Sequence, residues 1–273
     1  MTVVLLALAS AASFGAMTVF VRLGLRGGSA ATGALAMIAW GTAIAVVAAL
    51  PEHDLHRAWA FLLAGLIAPG CSQVLFTLAV REAGASRTSV TMSGAPLVAV
   101  GIALVVLGEP VRPLLVLGAL PIVAGGVALA AERDRPEHLR RSALVFAVGA
   151  ATLFAVRDDL TRALHAHASP TTAAAATFFG GLLVTSLWAR RPPSRVELRR
   201  LAPAGICFGI SYLCLFEAYF HGRVSVVSPL AATESLWTVA LAALLLRAEG
   251  VGLRVAAGAV CVVAGGVLIG LGQ

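Results

Sequence analysis

The chain has 273 residues, of which 59% are apolar and only 12% charged, and its mean hydropathy is +0.94. Those values exclude a soluble globular domain and a disordered chain, and describe a multispanning membrane protein. The formal charge of +7 comes from 20 Arg with no Lys; these cluster between apolar runs, where they report membrane topology and not contacts with nucleic acid.

A spanning helix needs about 20 mostly apolar residues. On that rule the sequence predicts ten, near 2–22, 30–50, 59–80, 88–107, 114–130, 142–163, 171–189, 202–220, 225–246 and 255–271. The first run contains Ala9-Ser10-Ala11 but no basic segment ahead of it, so it reads as a span and not as a removed leader. The connectors are short and carry the helix breakers, among them Pro51-Glu52-His53-Asp54, Gly108-Glu109-Pro110 and Pro192-Pro193-Ser194. Cys71, Cys207, Cys214 and Cys261 stand singly in apolar runs and read as small core residues.

A shift of 140 residues lays the second half on the first without a gap. Phe14 falls on Phe154, Arg22 on Arg162, Leu75-Phe76 on Leu215-Phe216, and Val123-Ala124-Gly125-Gly126-Val127 on Val263-Ala264-Gly265-Gly266-Val267. Between Glu109 and Val127 nine of nineteen positions match their partners, too many at one constant offset for two greasy segments to share by chance. The sequence therefore divides into five-helix repeats at 1–131 and 142–271. Five is odd, so the second copy enters the membrane from the opposite side, and inverted repeats of this kind are a common build of secondary transporters.

Two copies that each close on a Glu after the fourth helix and a Gly-Gly in the fifth resemble the EamA-type members of the drug/metabolite transporter superfamily. The segments that carry the resemblance are Leu107-Gly108-Glu109-Pro110 with Gly118 and Gly125-Gly126, and Arg247-Ala248-Glu249 with Gly258 and Gly265-Gly266. The resemblance spans the whole chain. It implies a cofactor-free carrier of small metabolites, often an exporter of amino acids or related compounds, in the bacterial inner membrane. Ala248, Glu234 and Trp237 depart from the usual pattern, which touches substrate choice and leaves the fold intact.

Glu234 lies about ten residues inside an apolar run, where an ionised carboxylate costs on the order of 2.5 kcal/mol or more unless it faces a partner, a cavity or a substrate path. It is the leading candidate for the transport pathway; the alternative is a structural acid, protonated or paired. Arg157 and Glu217 each lie about fifteen residues into their helices, roughly 22 Å, and their matched depth suggests an ion pair. Gln73 and Thr77, one turn apart, add polar groups from the third span. Glu234 corresponds to Gly94, and Thr91, Gly94, Val98 and Gly101 form a narrow face able to border a cavity. Tyr212 shares a face with Tyr219, and Trp40 and Trp237 are either stacking surfaces for a ligand or plain packing. Asp158 and Arg162, four apart, fit a pair along one helix face near the boundary. Glu109 and Glu249 read as caps of the helices that follow.

His53 with His56, and His165 with His167, stand in short connectors without a third ligand, so no metal is expected. No nucleophile elbow, zincin motif or phosphate loop occurs, which leaves catalysis without a foothold. The expected partners are a small-molecule substrate, the lipid bilayer and, as an option, a coupling proton, for a monomer or homodimer without nucleic acid. Multidrug or organic-cation efflux is the alternative within transport; an intramembrane enzyme or a scaffold subunit is the alternative outside it.

Assigning the loops alternately puts fifteen Arg on one side, including Arg22, Arg81, Arg140, Arg141, Arg190, Arg191 and Arg200, and four on the other: Arg57, Arg112, Arg162 and Arg223. The positive-inside rule makes the rich side cytoplasmic and places both termini outside, opposite to the resemblance, which implies termini inside. An alkaline phosphatase fused after Gln273 should accordingly be active, and a fluorescent protein at the same place dark. The reverse pattern would overturn this orientation.

Overall fold

The computed structural model describes residues 2–25, 28–52, 54–108, 113–114, 117–118, 120–121, 141–246 and 253–271. Long apolar runs become helices because a backbone in lipid must satisfy its own N–H and C=O groups within the segment. The long helices are α1 (Thr2–Gly24), α2 (Ala30–Ala49), α3 (Trp59–Ala83), α4 (Ala85–Val106), α5 (Arg141–Ala163), α6 (Pro170–Ala189), α7 (Arg195–His221), α8 (Val224–Leu245) and α9 (Leu253–Leu271). Among the described residues there is no strand.

Seven of these, α1 to α4 and α6 to α8, are long and apolar enough to cross a membrane. The sixth expected span, α5, is long enough but carries Arg157, Asp158, Asp159 and Arg162 in its second half. Most of the fifth expected span, 114–130, lies outside the described residues, as do Glu109, Glu249 and His53. The eighth span, expected from residue 202, starts at Arg195. The reason is a capping box: the Ser194 hydroxyl accepts from the Glu197 N–H, and the Glu197 carboxylate accepts from the Ser194 N–H. Polar first turns extend that helix beyond its apolar stretch.

The helix bounds repeat with the sequence. Adding 140 to α2, Ala30–Ala49, gives 170–189, the bounds of α6. Both α4 and α8 are broken at matching places, α4 at Ser93-Gly94 and α8 at Ala232-Thr233. The packing pairs also exchange: α1 packs on α7 as α5 packs on α3, α2 on α7 as α6 on α3, and α1 on α8 as α5 on α4, while α2 packs on α6.

Contacts at the two ends of α2 give its direction against α6. In the first turn of α2, Thr32 donates to Glu197 at the start of α7 (2.9 Å). Past the other end, beyond Ala49, Asp54 accepts from the Ser169 N–H and from the Thr172 hydroxyl (2.6 Å), at the start of α6. The N-terminus of α6 thus lies at the C-terminal end of α2, so these two equivalent helices run antiparallel. Burial works to raise the Asp54 carboxyl, but the hydrogen bonds from Thr172 and Ser169 together hold it below the usual carboxylate value.

Close approach of backbones depends on glycine, as Gly65 and Gly15 show. A Cβ on Gly65 of α3 would collide with the Thr177 carbonyl of α6. A Cβ on Gly15 of α1 would sit 2.7 Å from Trp237 Cβ and 2.9 Å from the Glu234 carbonyl of α8. Gly65→Ala should therefore push α3 off α6 and destabilise by about 1–3 kcal/mol, read as a lowered thermal midpoint of the detergent-solubilised protein. An unchanged midpoint would contradict this packing.

Candidate functional site

Arg157 is among the most deeply buried large side chains of the protein, at 2% exposure. Burying a guanidinium demands a counter-charge and hydrogen-bond partners. Its Nη2 pairs with Asp158 Oδ1 at 2.9 Å, and its guanidinium carbon lies 4.4 Å from the Tyr212 ring centroid and 5.6 Å from those of Phe154 and Phe216. The negative ring faces supply cation–π attraction in place of water. Asp158 Oδ2 accepts from the Tyr219 hydroxyl at 2.8 Å. Nε and Nη1 of Arg157 and the hydroxyl of Tyr212 have no hydrogen-bond partner among the described residues.

The cluster opens on a cavity of about 60 Å³, room for a few waters or a small polar group. Helices from both repeats line it: Ser10 and Phe14 of α1, Met92, Ala95 and Pro96 of α4, Phe154, Arg157 and Asp158 of α5, Ser211 and Leu215 of α7, and Ser228, Ala231, Ala232 and Glu234 of α8. Glu234 is half-buried there and feels the charge of Asp158. It opens the second half of α8, directly after the break, so its carboxyl sits at the positive end of a half-helix dipole. The break of α4 meets that of α8 where the Ser93 hydroxyl donates to the Ala232 carbonyl at 3.1 Å.

The expected Arg157–Glu217 pair is not formed. Glu217 pairs instead with His221 on its own helix (3.4 Å), its side chain 40% exposed. Matched depth is not matched azimuth: at about 100° per residue Tyr212 and Tyr219 share a face of α7, and Glu217 falls roughly 140° round from Tyr212. The expected Asp158–Arg162 pair is also replaced, since Asp158 turns to Arg157 while Arg162 donates to the carbonyls of Tyr219 and Phe220 at the end of α7.

The other sequence candidates divide. Gln73 is fully buried, with neither amide atom hydrogen-bonded among the described residues, and Thr77 donates to the Gln73 carbonyl at 2.6 Å. Trp40 gives its indole N–H to the Leu198 carbonyl at 3.0 Å and packs on Gly205. Trp237 is 47% exposed, and none of these four lines the cavity. On α4 the cavity takes Met92, Ala95 and Pro96 in place of the face expected from Thr91, Gly94, Val98 and Gly101; Met92 and Ala95 each directly follow a residue of that face and so lie about 100° round the helix from it. No group of three metal-ligating residues occurs among the described residues.

Sequence reading singled out Asp158 but assigned it to the boundary. The signal that could have placed it was the seven-residue spacing of Tyr212 and Tyr219, two ring-and-hydroxyl groups on one face of an adjacent helix. Asp158→Leu should leave Arg157 as an uncompensated buried charge and cost about 3–5 kcal/mol, whereas Arg157→Leu with Asp158→Leu should cost clearly less than the two single changes added together. Thermal midpoints of the three variants read this, and strict additivity would show that the pair is not coupled.

A search of the curated proteins found no match to this chain. A solved crystal structure, titled only as that of a protein, shares its fold at a TM-score of 0.72, with 18% identity over 99% of this chain and 96% of that one. The model of the EamA-like transporter family matches twice, over residues 1–130 and 141–271. With both halves of a multi-pass, all-helical membrane protein so matched, the chain belongs to the EamA-like transporter family.

Proposed function

We propose that this transporter is a secondary carrier that moves small metabolites, such as amino acids or related compounds, outward across the bacterial inner membrane by alternating access. The observation that carries the reading is the placement of Arg157, Asp158 and Glu234 on one cavity lined by both repeats, at the breaks of α4 and α8. Carriers built on inverted repeats bind substrate at that interface, where half-helix ends and unwound backbone face the cavity. The two repeats at 1–131 and 142–271 act as the moving halves, and the antiparallel run of α2 and α6 supports their inversion.

In this reading Arg157 meets an anionic group of the substrate through the donors that Asp158 leaves open. Glu234, beside Asp158 and at a half-helix terminus, takes either a cationic group or a proton. Glu217, Gln73, Thr77, Trp40 and Trp237 act outside the cavity, in packing or at its approaches. Organic-cation efflux is the second reading, favoured by two carboxylates against one guanidinium and by the rings of Phe14 and Phe154 on the cavity wall.

Glu234→Gln keeps the shape and removes the charge. Reconstituted in proteoliposomes and assayed over a metabolite panel with and without a pH gradient, it should fold, keep part of its substrate binding, and lose net transport or the response to the gradient. Wild-type rates with a full pH response would remove Glu234 from the pathway. Transport of bulky organic cations with no uptake of amphoteric metabolites would select the second reading.

A further inference from the structure

Two carboxylates join the repeats at opposite ends of the α2–α6 pair, and the cavity chemistry uses neither. At one end the connector after α2 supplies Asp54, which accepts from the N–H and hydroxyl of Ser169 and the hydroxyl of Thr172 on α6. At the other, the first turn of α7 supplies Glu197, which accepts from the hydroxyl of Thr32 on α2 as well as from Arg191 and the Ser194 N–H. The donors are repeat equivalents, since Thr32 plus 140 is Thr172. The acceptors are not: Asp54 corresponds to Ser194 and Glu197 to Arg57. The same contact between repeats has thus been built twice, with one carboxylate from a connector and the other from the first turn of a helix.

The two contacts are separated by the length of α2, roughly 30 Å for 20 residues, about the thickness of a bilayer's hydrocarbon core. Each ties one repeat to the other through a charge-assisted hydrogen bond, which is strong enough to hold a closed end and weak enough to release. We propose that Asp54–Thr172 and Glu197–Thr32 are paired latches, one at each mouth, and that the carrier releases one while the other holds. The proposal rests on the carrier reading. Both latches are closed in this structure.

The test reads which side of the membrane the cavity opens to. With Cys71, Cys207, Cys214 and Cys261 replaced by Ala, Ser211→Cys places one thiol on the cavity wall, and a charged, membrane-impermeant methanethiosulfonate is applied to either face of oriented vesicles. Thr172→Val or Asp54→Ala should raise labelling from the Asp54 side relative to the Glu197 side by about fivefold, equivalent to about 1 kcal/mol. Thr32→Val should shift the ratio as far the other way, and Thr172→Ser and Thr32→Ser, which keep the hydroxyl, should restore the starting ratio. Labelling of the parent from both sides with ratios unmoved by the Val variants overturns the latches and leaves the carrier reading standing. Labelling from a single side in the parent and every variant overturns both.

Discussion

The buried pair of Arg157 and Asp158 sets the terms for everything around it. A guanidinium at 2% exposure is tolerable only with a counter-charge and polarisable surroundings, here Asp158 and the rings of Tyr212, Phe154 and Phe216. Adjacent positions on one helix point about 100° apart, so Arg157 and Asp158 meet only by bending toward a common wall, which α7 provides through Tyr212 and Tyr219. Tyr212 also packs on Phe178, Phe208 and Phe216, and Phe208 touches Phe14 of α1. The aromatic core of the bundle is therefore continuous with the wall that holds the charge, and loosening the one exposes the other.

Backbone geometry then brings the third charge to the pair. In hydrocarbon a helix can be interrupted only where protein or a cavity receives the freed backbone groups. The breaks of α4 and α8 meet this condition by facing each other, with Ser93 taking up the Ala232 carbonyl. Gly15 lets α1 come against the Glu234 carbonyl of α8. The polar interior thus gathers at the two breaks, where backbone polar groups and side-chain charges share one space.

How far this could be read from residues alone depended on whether the signal was periodic along the chain or angular around it. The 140-residue offset and the apolar runs are linear signals; they placed the long helices among the described residues, and the bounds of α2 and α6 follow them. Glu234 was legible because a lone carboxylate in an apolar run has few acceptable surroundings. Asp158 and Arg162 were misassigned because a four-residue spacing permits a pair without requiring it, and the Tyr-bearing face of α7 draws Asp158 to its neighbour Arg157 instead. Depth suggested Glu217 for Arg157, but its azimuth turns it to His221. The start of α7 was missed because a capping box adds polar first turns to a helix that hydropathy alone begins late.

The charges also break the symmetry of the scaffold. At the equivalents of Arg157, Asp158, Tyr212, Tyr219 and Glu234 the first repeat carries Met17, Thr18, Ser72, Ala79 and Gly94. A symmetric site would crowd two guanidinium groups and four carboxylates around one small space, where like charges at low dielectric repel by more than their hydration returns. Duplication suits the frame, because two equivalent halves have two equivalent ways to pack and can rock between them. It does not suit the chemistry, which needs one cavity with a defined polarity. Small and apolar residues in the first copy keep its half of the cavity neutral, so the field inside is set by the charges of the second copy.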